Sequence, residues 1–363
     1  MEKIYRCPNC GAALEYSADR HMLHCSHCGT EMTVEAYQKY EEQQKNSEAD
    51  TGNQEREEQN AHAGQEQAAK ERGQMNMKIY HCSSCGAILE TDTTTAATRC
   101  AYCGNPTLIE DRIEGRYRPD LIIPFSISKE KAMEAYEQWT GKGPLTPREL
   151  RGKTVTDRMT GIYIPFWIYD FHADGRITAN ATRTRVVPRH NGEDVYTDHF
   201  LVVRELGSDF RGIPADGSSK MDDTVMDKLE PFNMQGIKQF APEYLSGFLA
   251  ERYDLTDENV VSRAKQRASD YIISMTMSTI AGYNSVVPLD RDVRLTPLGC
   301  RYALFPVWMM NCTYRGKPFT FVMNGQTGRI VADRPISGKR FAGITAAVFA
   351  GAFVVGLLGG MLL

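Results

Sequence analysis

Apolar and polar positions first mark out strands along the middle of the chain. Residues 162–171 are β-branched or aromatic except at Pro165 and Asp170, which predicts a strand. Asp174-Gly175 predicts a hairpin turn into the alternating segment 176–182, and residues 196–206 predict a further strand.

Helical spacing of apolar residues predicts two longer helices. Ser128 is a predicted cap for a helix over 129–139, and Thr256 for one that reaches about Met277. Between them, residues 223–254 have helical character that prolines interrupt.

The last folded part resembles the first hairpin in outline. Pro306-Val307-Trp308 aligns with Pro165-Phe166-Trp167, and Gly316 with Gly175, at one offset of 141 residues. A helix precedes each hairpin, so a duplicated helix-plus-sheet unit is one interpretation. With a further hairpin around Asn324-Gly325, the sequence predicts an α+β domain with antiparallel sheet over 113–338.

Residues 341–363 are 23 residues without a charge or a proline. A helix of this length spans roughly 35 Å, enough to cross the ~30 Å hydrocarbon layer. We predict a C-terminal transmembrane anchor over 339–363, and the cations before it place the bulk of the chain in the cytoplasm. Ala352, Gly356 and Gly360 share a face that is typical of homo-oligomeric membrane helices, although glycines without a partner explain it equally well.

Eight of the ten cysteines form two C-x2-C…C-x2-C patterns, each with fourteen residues between its cysteine pairs. Four thiolates at this spacing are typical of a structural zinc site. The alternative is disulfide pairing. The predicted zinc ligands are Cys7, Cys10, Cys25, Cys28, Cys82, Cys85, Cys100 and Cys103.

The similarity of the two patterns extends beyond the ligands, because residues 1–7 and 77–82 are close copies. We therefore predict two small β zinc ribbons, over 1–35 and 78–112, with one structural zinc ion each. Residues 36–77 are rich in Glu, Gln and Ala, which predicts a disordered or partly helical linker.

Charge and cysteine usage narrow the function classes. The net charge is −4, and neither ribbon has an excess of cations, so protein docking is favoured over nucleic-acid binding. The free cysteines outside the ribbons, Cys300 and Cys312, fit a reducing compartment.

No constellation in the sequence predicts a catalytic residue. Residues 212–219 nearly match a phosphate-binding P-loop, but Ser218 stands where the lysine is needed. The acidic residues around Asp222 suit a helix N-terminus better than a cation site. The histidines near the strands lack ligand spacing.

Several short motifs resemble one bacterial family, the "TFIIB-type zinc ribbon-containing" membrane proteins, which are also labelled "PriA-like helicase". The motifs are residues 163–167, Asp216-Gly217-Ser218, Glu230-Pro231-Phe232, residues 244–248 and residues 323–328. Some members resemble the zinc-ribbon component of membrane-stress operons that also encode PspA-like and flotillin-like SPFH proteins. The resemblance implies a membrane-anchored adaptor for such partners. It carries no catalytic residue over to this chain.

The sequence thus predicts a multidomain, tail-anchored adaptor without enzymatic activity. Two zinc ribbons would dock protein partners at the cytoplasmic face of the cell membrane. The alternative is a membrane-tethered regulator that binds nucleic acid through the ribbons.

Overall fold

The computed structural model describes residues 5–50, 78–82, 84–91, 100–103, 108–111, 118–150 and 158–361. Most of the predicted linker, residues 51–77, lies outside the described residues. The chain divides into two compact units. Unit 1 comprises Met1–Ile164, Lys220–Arg252 and Leu304–Leu363, and unit 2 comprises Pro165–Ser219 and Tyr253–Ala303.

The first cysteine motif folds into a small β sheet followed by a helix. Strands β1 (Leu14–Ser17), β2 (Met22–Cys25) and β3 (Glu31–Met32) pair antiparallel. Helix α1 (Val34–Asp50) then extends into the predicted linker. Residues 5–50 are called module 1 below.

The second cysteine motif does not form a separate sheet, because one of its strands pairs with a strand from elsewhere in unit 1. Strand β4 (Lys78–Cys82) pairs with β5 (Ile88–Thr91) and with β6 (Leu108–Asp111). Strand β5 pairs in turn with β11 (Leu249–Glu251). The described residues of 78–111, called module 2 below, therefore extend the large sheet of unit 1.

Short elements complete unit 1. Strand β7 (Leu121–Ile122) pairs with β10 (Lys238–Gln239), and helix α2 (Lys129–Gly141) begins after Ser128, whose hydroxyl accepts from the Lys131 N–H as predicted. Helix α3 (Asp223–Leu229) begins after Asp222, whose carboxylate accepts from the Thr224 N–H at 2.7 Å.

Long strands form most of unit 2. Strand β8 (Thr160–Arg189) pairs with β9 (Gly192–Asp216), and β12 (Ser285–Tyr314) follows helix α4 (Asp257–Ser278). Helix α4 packs against β9. The strand alternation buries small residues beneath the helix, and the core there includes Ala179, Ala181, Val202 and Ile280.

The chain returns to unit 1 within β12, at Leu304, and ends in a helix. Strand β13 (Lys317–Asn324) pairs with β12 and with β14 (Ile330–Ala332), which confirms the predicted hairpin after Asn324. Helix α5 (Gly338–Met361) is the last element.

The structure corrects two details of the sequence predictions. The predicted antiparallel pairing recurs in both sheets, but the large sheet is mixed, because β11 pairs in parallel with β8 at Leu249↔Ile162. The first hairpin does not turn at Asp174-Gly175, because β8 continues to Arg189. A Cβ on Gly175 would lie 2.1 Å from the Asp292 backbone oxygen, so this glycine permits close packing of two strands.

One set of contacts joins the hairpin of unit 2 to the start of its helix. The Trp167 indole N–H donates to the Leu255 carbonyl at 2.8 Å, just before the cap of α4. The Gly217 N–H donates to the Pro165 carbonyl at 2.9 Å. The Asp216 carboxylate accepts from the N–H two residues on, at 2.9 Å.

Unit 1 contains the same set at corresponding residues. The Trp308 indole N–H donates to the Ile127 carbonyl at 2.9 Å, just before the cap of α2. The Gly325 N–H donates to the Pro306 carbonyl at 2.8 Å. The Asn324 side chain accepts from the N–H two residues on, at 2.9 Å.

This correspondence supports the predicted duplication, but it changes which helix and which hairpin belong to one repeat. The predicted unit joins each helix to the hairpin that follows it in the chain. In the structure, the β8–β9 hairpin instead contacts the start of α4, and the β12–β13 hairpin contacts the start of α2.

The close approach at Gly175 is testable with a matched pair of glycines. Gly175→Ala forces a methyl group against backbone atoms that cannot rotate away, and we expect a loss of about 1–3 kcal/mol in the free energy of unfolding. Gly207→Ala, opposite Asp174 in the same hairpin, meets nothing within 4 Å and is expected to change little. Urea unfolding followed by circular dichroism measures both. Equal stability of the two variants would contradict the close packing.

Candidate metal centres

The four cysteines of the first motif converge on one point. The Sγ atoms of Cys7, Cys10, Cys25 and Cys28, here cluster 1, all lie within 4.8 Å of one another. Cys7 and Cys28 are 3.5 Å apart, and Cys10 and Cys25 are 3.6 Å apart. The structure therefore brings together all four predicted ligands of the first site.

Local backbone geometry explains this convergence. The Gly11 N–H donates to the Cys7 carbonyl at 2.9 Å, and the Gly29 N–H donates to the Cys25 carbonyl at 2.9 Å. Gly11 and Gly29 have φ angles of 74° and 75°, a left-handed conformation that favours glycine. Each Cys-x-x-Cys-Gly segment thus forms a tight turn, called a knuckle below, that points two thiols the same way.

The second motif repeats this geometry as cluster 2, formed by Cys82, Cys85, Cys100 and Cys103. Cys82 and Cys103 are 3.5 Å apart, and Cys85 and Cys100 are 3.6 Å apart. The Gly86 N–H donates to the Cys82 carbonyl at 2.9 Å, again with a left-handed glycine.

Both clusters fit a tetrahedral metal ion. Bonds of about 2.3 Å from zinc to sulfur require sulfur atoms roughly 3.8 Å apart, close to the separations in each cluster. Metal ligation also requires thiolates, and the thiols differ in this respect, because burial raises the pKa of Cys85 and of Cys100. The Thr30 hydroxyl, 3.0 Å from the Cys28 Sγ, stabilises the thiolate and lowers the pKa of Cys28 to about 5. Burial opposes ionisation of Cys82, but donation by the backbone N–H groups of Cys85 and Ser84 outweighs it and lowers the pKa of Cys82 to about 7.

Module 1 rests on the segment Pro242–Leu245 and its neighbours through a polar and aromatic contact. The Ser246 hydroxyl donates to the Leu14 carbonyl at 2.9 Å. The rings of Tyr16 and Tyr244 meet edge to face with their centroids 5.2 Å apart. These contacts use the hairpin of module 1 and leave both of its knuckles exposed.

Module 2 uses its second knuckle for packing instead. The Asn311 amide donates to the Ala101 carbonyl, and the Tyr102 hydroxyl donates to the Glu251 carboxylate. Ala101 is buried in consequence. The two clusters have the same internal geometry, but only the first presents both knuckles to solvent.

Comparison with known proteins gives one close relationship. The chain is 36% identical over 360 residues to the Bacillus subtilis (strain 168) protein named "Uncharacterized protein YdjG", and the match covers 98% of both chains. The chain belongs to the YdjG family. No protein-family model matches it, and no solved structure matches it.

In this member of the YdjG family, the other residues considered as binding-site candidates lie in a strand, at a helix cap or in an exposed ion pair. Gly212 and Pro214 lie within β9, so the P-loop-like segment starts inside a strand. Asp222 caps α3, as the helix-terminus interpretation predicts. His172 pairs with Asp209 at 2.7 Å across the β8–β9 hairpin, where both side chains are exposed.

The residues that hold the modules were not identified from the sequence. Glu251 and Asn311 are far from the cysteines in the chain, and no spacing rule relates them to module 2. Tyr244 and Ser246 stand in one of the motifs that carry the family resemblance, which was a usable signal.

The cluster geometry predicts two metal ions per chain. Cys25→Ser and Cys100→Ser are each expected to remove one ion, because a cluster with three thiolates loses a tetrahedral ligand. Cys300→Ser, outside both clusters, is expected to retain both ions. Mass-spectrometric metal analysis of the reduced protein provides the measurement. Metal-free protein from preparations without chelator would contradict the assignment.

Proposed function

We propose that this protein is a membrane-anchored adaptor that binds protein partners through a zinc-stabilised module. The two clusters are zinc ribbons, and each zinc ion is structural. The exposed knuckles of module 1 are the observation that carries the proposal. Module 1 contacts the rest of unit 1 through its hairpin, so the knuckles stay accessible to a partner.

Zinc is the metal that best suits four cysteines. Its affinity for thiolate and its tetrahedral preference match both clusters. Four thiolates also complete the coordination shell, so no position is open for a substrate. This supports a structural role and is consistent with the proposal that the protein is not an enzyme.

Helix α5 supports the anchor. It is long and apolar enough to span a membrane, and none of its segment Gly338–Val355 is buried in the structure. Phe341, Phe349 and Val355 are each more than half exposed, which is unfavourable in water. Arg334, Lys339 and Arg340 precede the apolar run and favour a cytoplasmic location for units 1 and 2.

The charges around module 1 favour a protein partner over nucleic acid. Arg20 pairs with Glu31, and Asp19 pairs with Lys131 at 3.0 Å. Cations that already have carboxylate partners add little to phosphate binding. We therefore assign docking to the exposed knuckle residues Asn9 and His27.

The family resemblance supplies the class of partner. PspA-like or flotillin-like SPFH proteins act at membranes, so an adaptor in a membrane-stress response would meet them there. A bilayer anchor raises the local concentration of the docking module, so weak contacts suffice. Self-association through Ala352, Gly356 and Gly360 stays a prediction.

The anchor is tested by deleting residues 341–363. We expect the full chain to resist alkaline carbonate extraction and the deletion variant to remain soluble. Both proteins are compared at ~1 M salt, where the Debye length of about 3 Å suppresses electrostatic binding to the membrane surface. A deletion variant that still sediments with membranes would contradict the anchor.

Docking is tested by affinity capture from detergent-solubilised membranes. Asn9→Ala with His27→Ala is expected to reduce partner recovery at least about tenfold, as for loss of contacts worth ~1.4 kcal/mol. Asn191→Ala with His190→Ala removes the same amide and imidazole groups from two exposed positions outside module 1 and serves as the control.

Metal content should be unchanged in both variants. Equal recovery by both would contradict docking at module 1. A salt-dependent shift of DNA or RNA by the full chain, lost in Cys25→Ser, would support the nucleic-acid alternative instead.

A further inference from the structure

The start of α5 is fixed directly to the folded part of unit 1. The Ser337 N–H donates to the Leu145 carbonyl at 2.9 Å. The Arg340 guanidinium donates to the carbonyls of Thr146 at 2.7 Å and Pro144 at 3.3 Å. The loop after α2 is therefore hydrogen-bonded directly to the start of α5.

Cationic side chains surround this junction. One Arg315 guanidinium nitrogen lies 3.9 Å from the Cβ position of Gly338, the first residue of α5. Arg334 lies over the Trp139 ring, 5.0 Å from its centroid. The anchor-base surface is defined here by these cations and their chain neighbours: Lys142, Arg315, Lys317, Arg334, Lys339 and Arg340.

Within the part of the chain that the structure describes, none of these six cations forms an ion pair with a carboxylate, and all but Arg340 are exposed. Elsewhere in unit 1, Lys131 and Lys238 each pair with a carboxylate at 3.0 Å. Within the described residues, the anchor-base surface thus carries positive charges that are not paired with a carboxylate.

An apolar side chain accompanies the charge. Ile336, two residues before α5, is 62% exposed, and Phe341 in the first turn is 56% exposed. A helix rises only 1.5 Å per residue, so if Phe341 enters the hydrocarbon layer, Ile336 and the surrounding cations lie at headgroup depth. Apolar and cationic side chains together are typical of surfaces that contact anionic membranes.

We infer that the anchor-base surface binds the phosphate groups of anionic lipids. Arg315 and Lys339 are the central ligands because they flank the first turn of α5. Guanidinium groups bind phosphate with two parallel hydrogen bonds, and lysine adds a point charge. Lipid binding here would hold unit 1 against the bilayer. This inference rests on the proposed membrane anchor.

The test counts the lipids bound to the full chain in neutral detergent by native mass spectrometry. Phosphatidylglycerol and phosphatidylcholine with identical acyl chains are the two probes. We expect preferential retention of phosphatidylglycerol, weakened by salt. Arg315→Asn with Lys339→Gln is expected to lower its affinity roughly 25-fold, since each cation near an anionic surface contributes roughly fivefold.

The variant is chosen to preserve the fold. Asparagine tolerates the left-handed φ of 53° at Arg315, and glutamine suits a first helical turn. Lys129→Gln with Lys228→Gln removes two exposed cations elsewhere in unit 1 and is expected to change nothing.

Several results would overturn the inference. They are equal retention of both lipids, an equal loss in the control variant, or displacement of the lipid by inorganic phosphate at the same concentration. Carbonate extraction separates this inference from the anchor. A chain that resists extraction without lipid preference contradicts the lipid site alone, whereas an extracted chain that keeps the preference contradicts the anchor alone.

Discussion

Both cysteine modules depend on one short segment of unit 1, residues 242–251. A module with few core residues buries too little apolar surface to be stable alone, so it needs cross-links or a support. The segment Pro242–Leu245 and Ser246 contact module 1 through side chains, whereas Leu249–Glu251 pairs with module 2 as a strand. Backbone pairing makes module 2 part of the sheet, and side-chain contacts leave the knuckles of module 1 accessible. We infer from this difference that one module docks partners and the other stabilises the platform.

A second set of contacts fixes helix α5, the proposed membrane anchor, to the folded part of unit 1. Arg340 bonds two loop carbonyls, so helix α5 leaves the folded part in a defined place. A partner held at module 1 would then be kept near the bilayer by a folded connection. Lipid contacts at the anchor-base surface would strengthen this arrangement without adding any protein partner.

Local sequence rules predicted much of the fold because local interactions decide those features. Ser128 caps α2 and Asn324 ends β13, as expected from side chains that bond their own backbone. The turn predicted at Gly175 failed for a nonlocal reason. Asp-Gly favours a turn, but β12 approaches Gly175 so closely that the glycine is used for strand packing. The convergence of each set of four cysteines was predictable, since their spacing encodes the knuckle geometry.

Spacing along the sequence was therefore enough to identify the two sets of cysteines that converge, the helix caps and the apolar helix, because each depends on residues close together in the chain. The tertiary structure decided which module is held by its backbone, which helix start meets each hairpin, and where the cations from four separate segments converge. Those features depend on contacts such as Trp308 with Ile127 and Tyr102 with Glu251, between residues more than a hundred positions apart. No local pattern specifies such pairs, because the free energy that selects them comes from packing the whole unit.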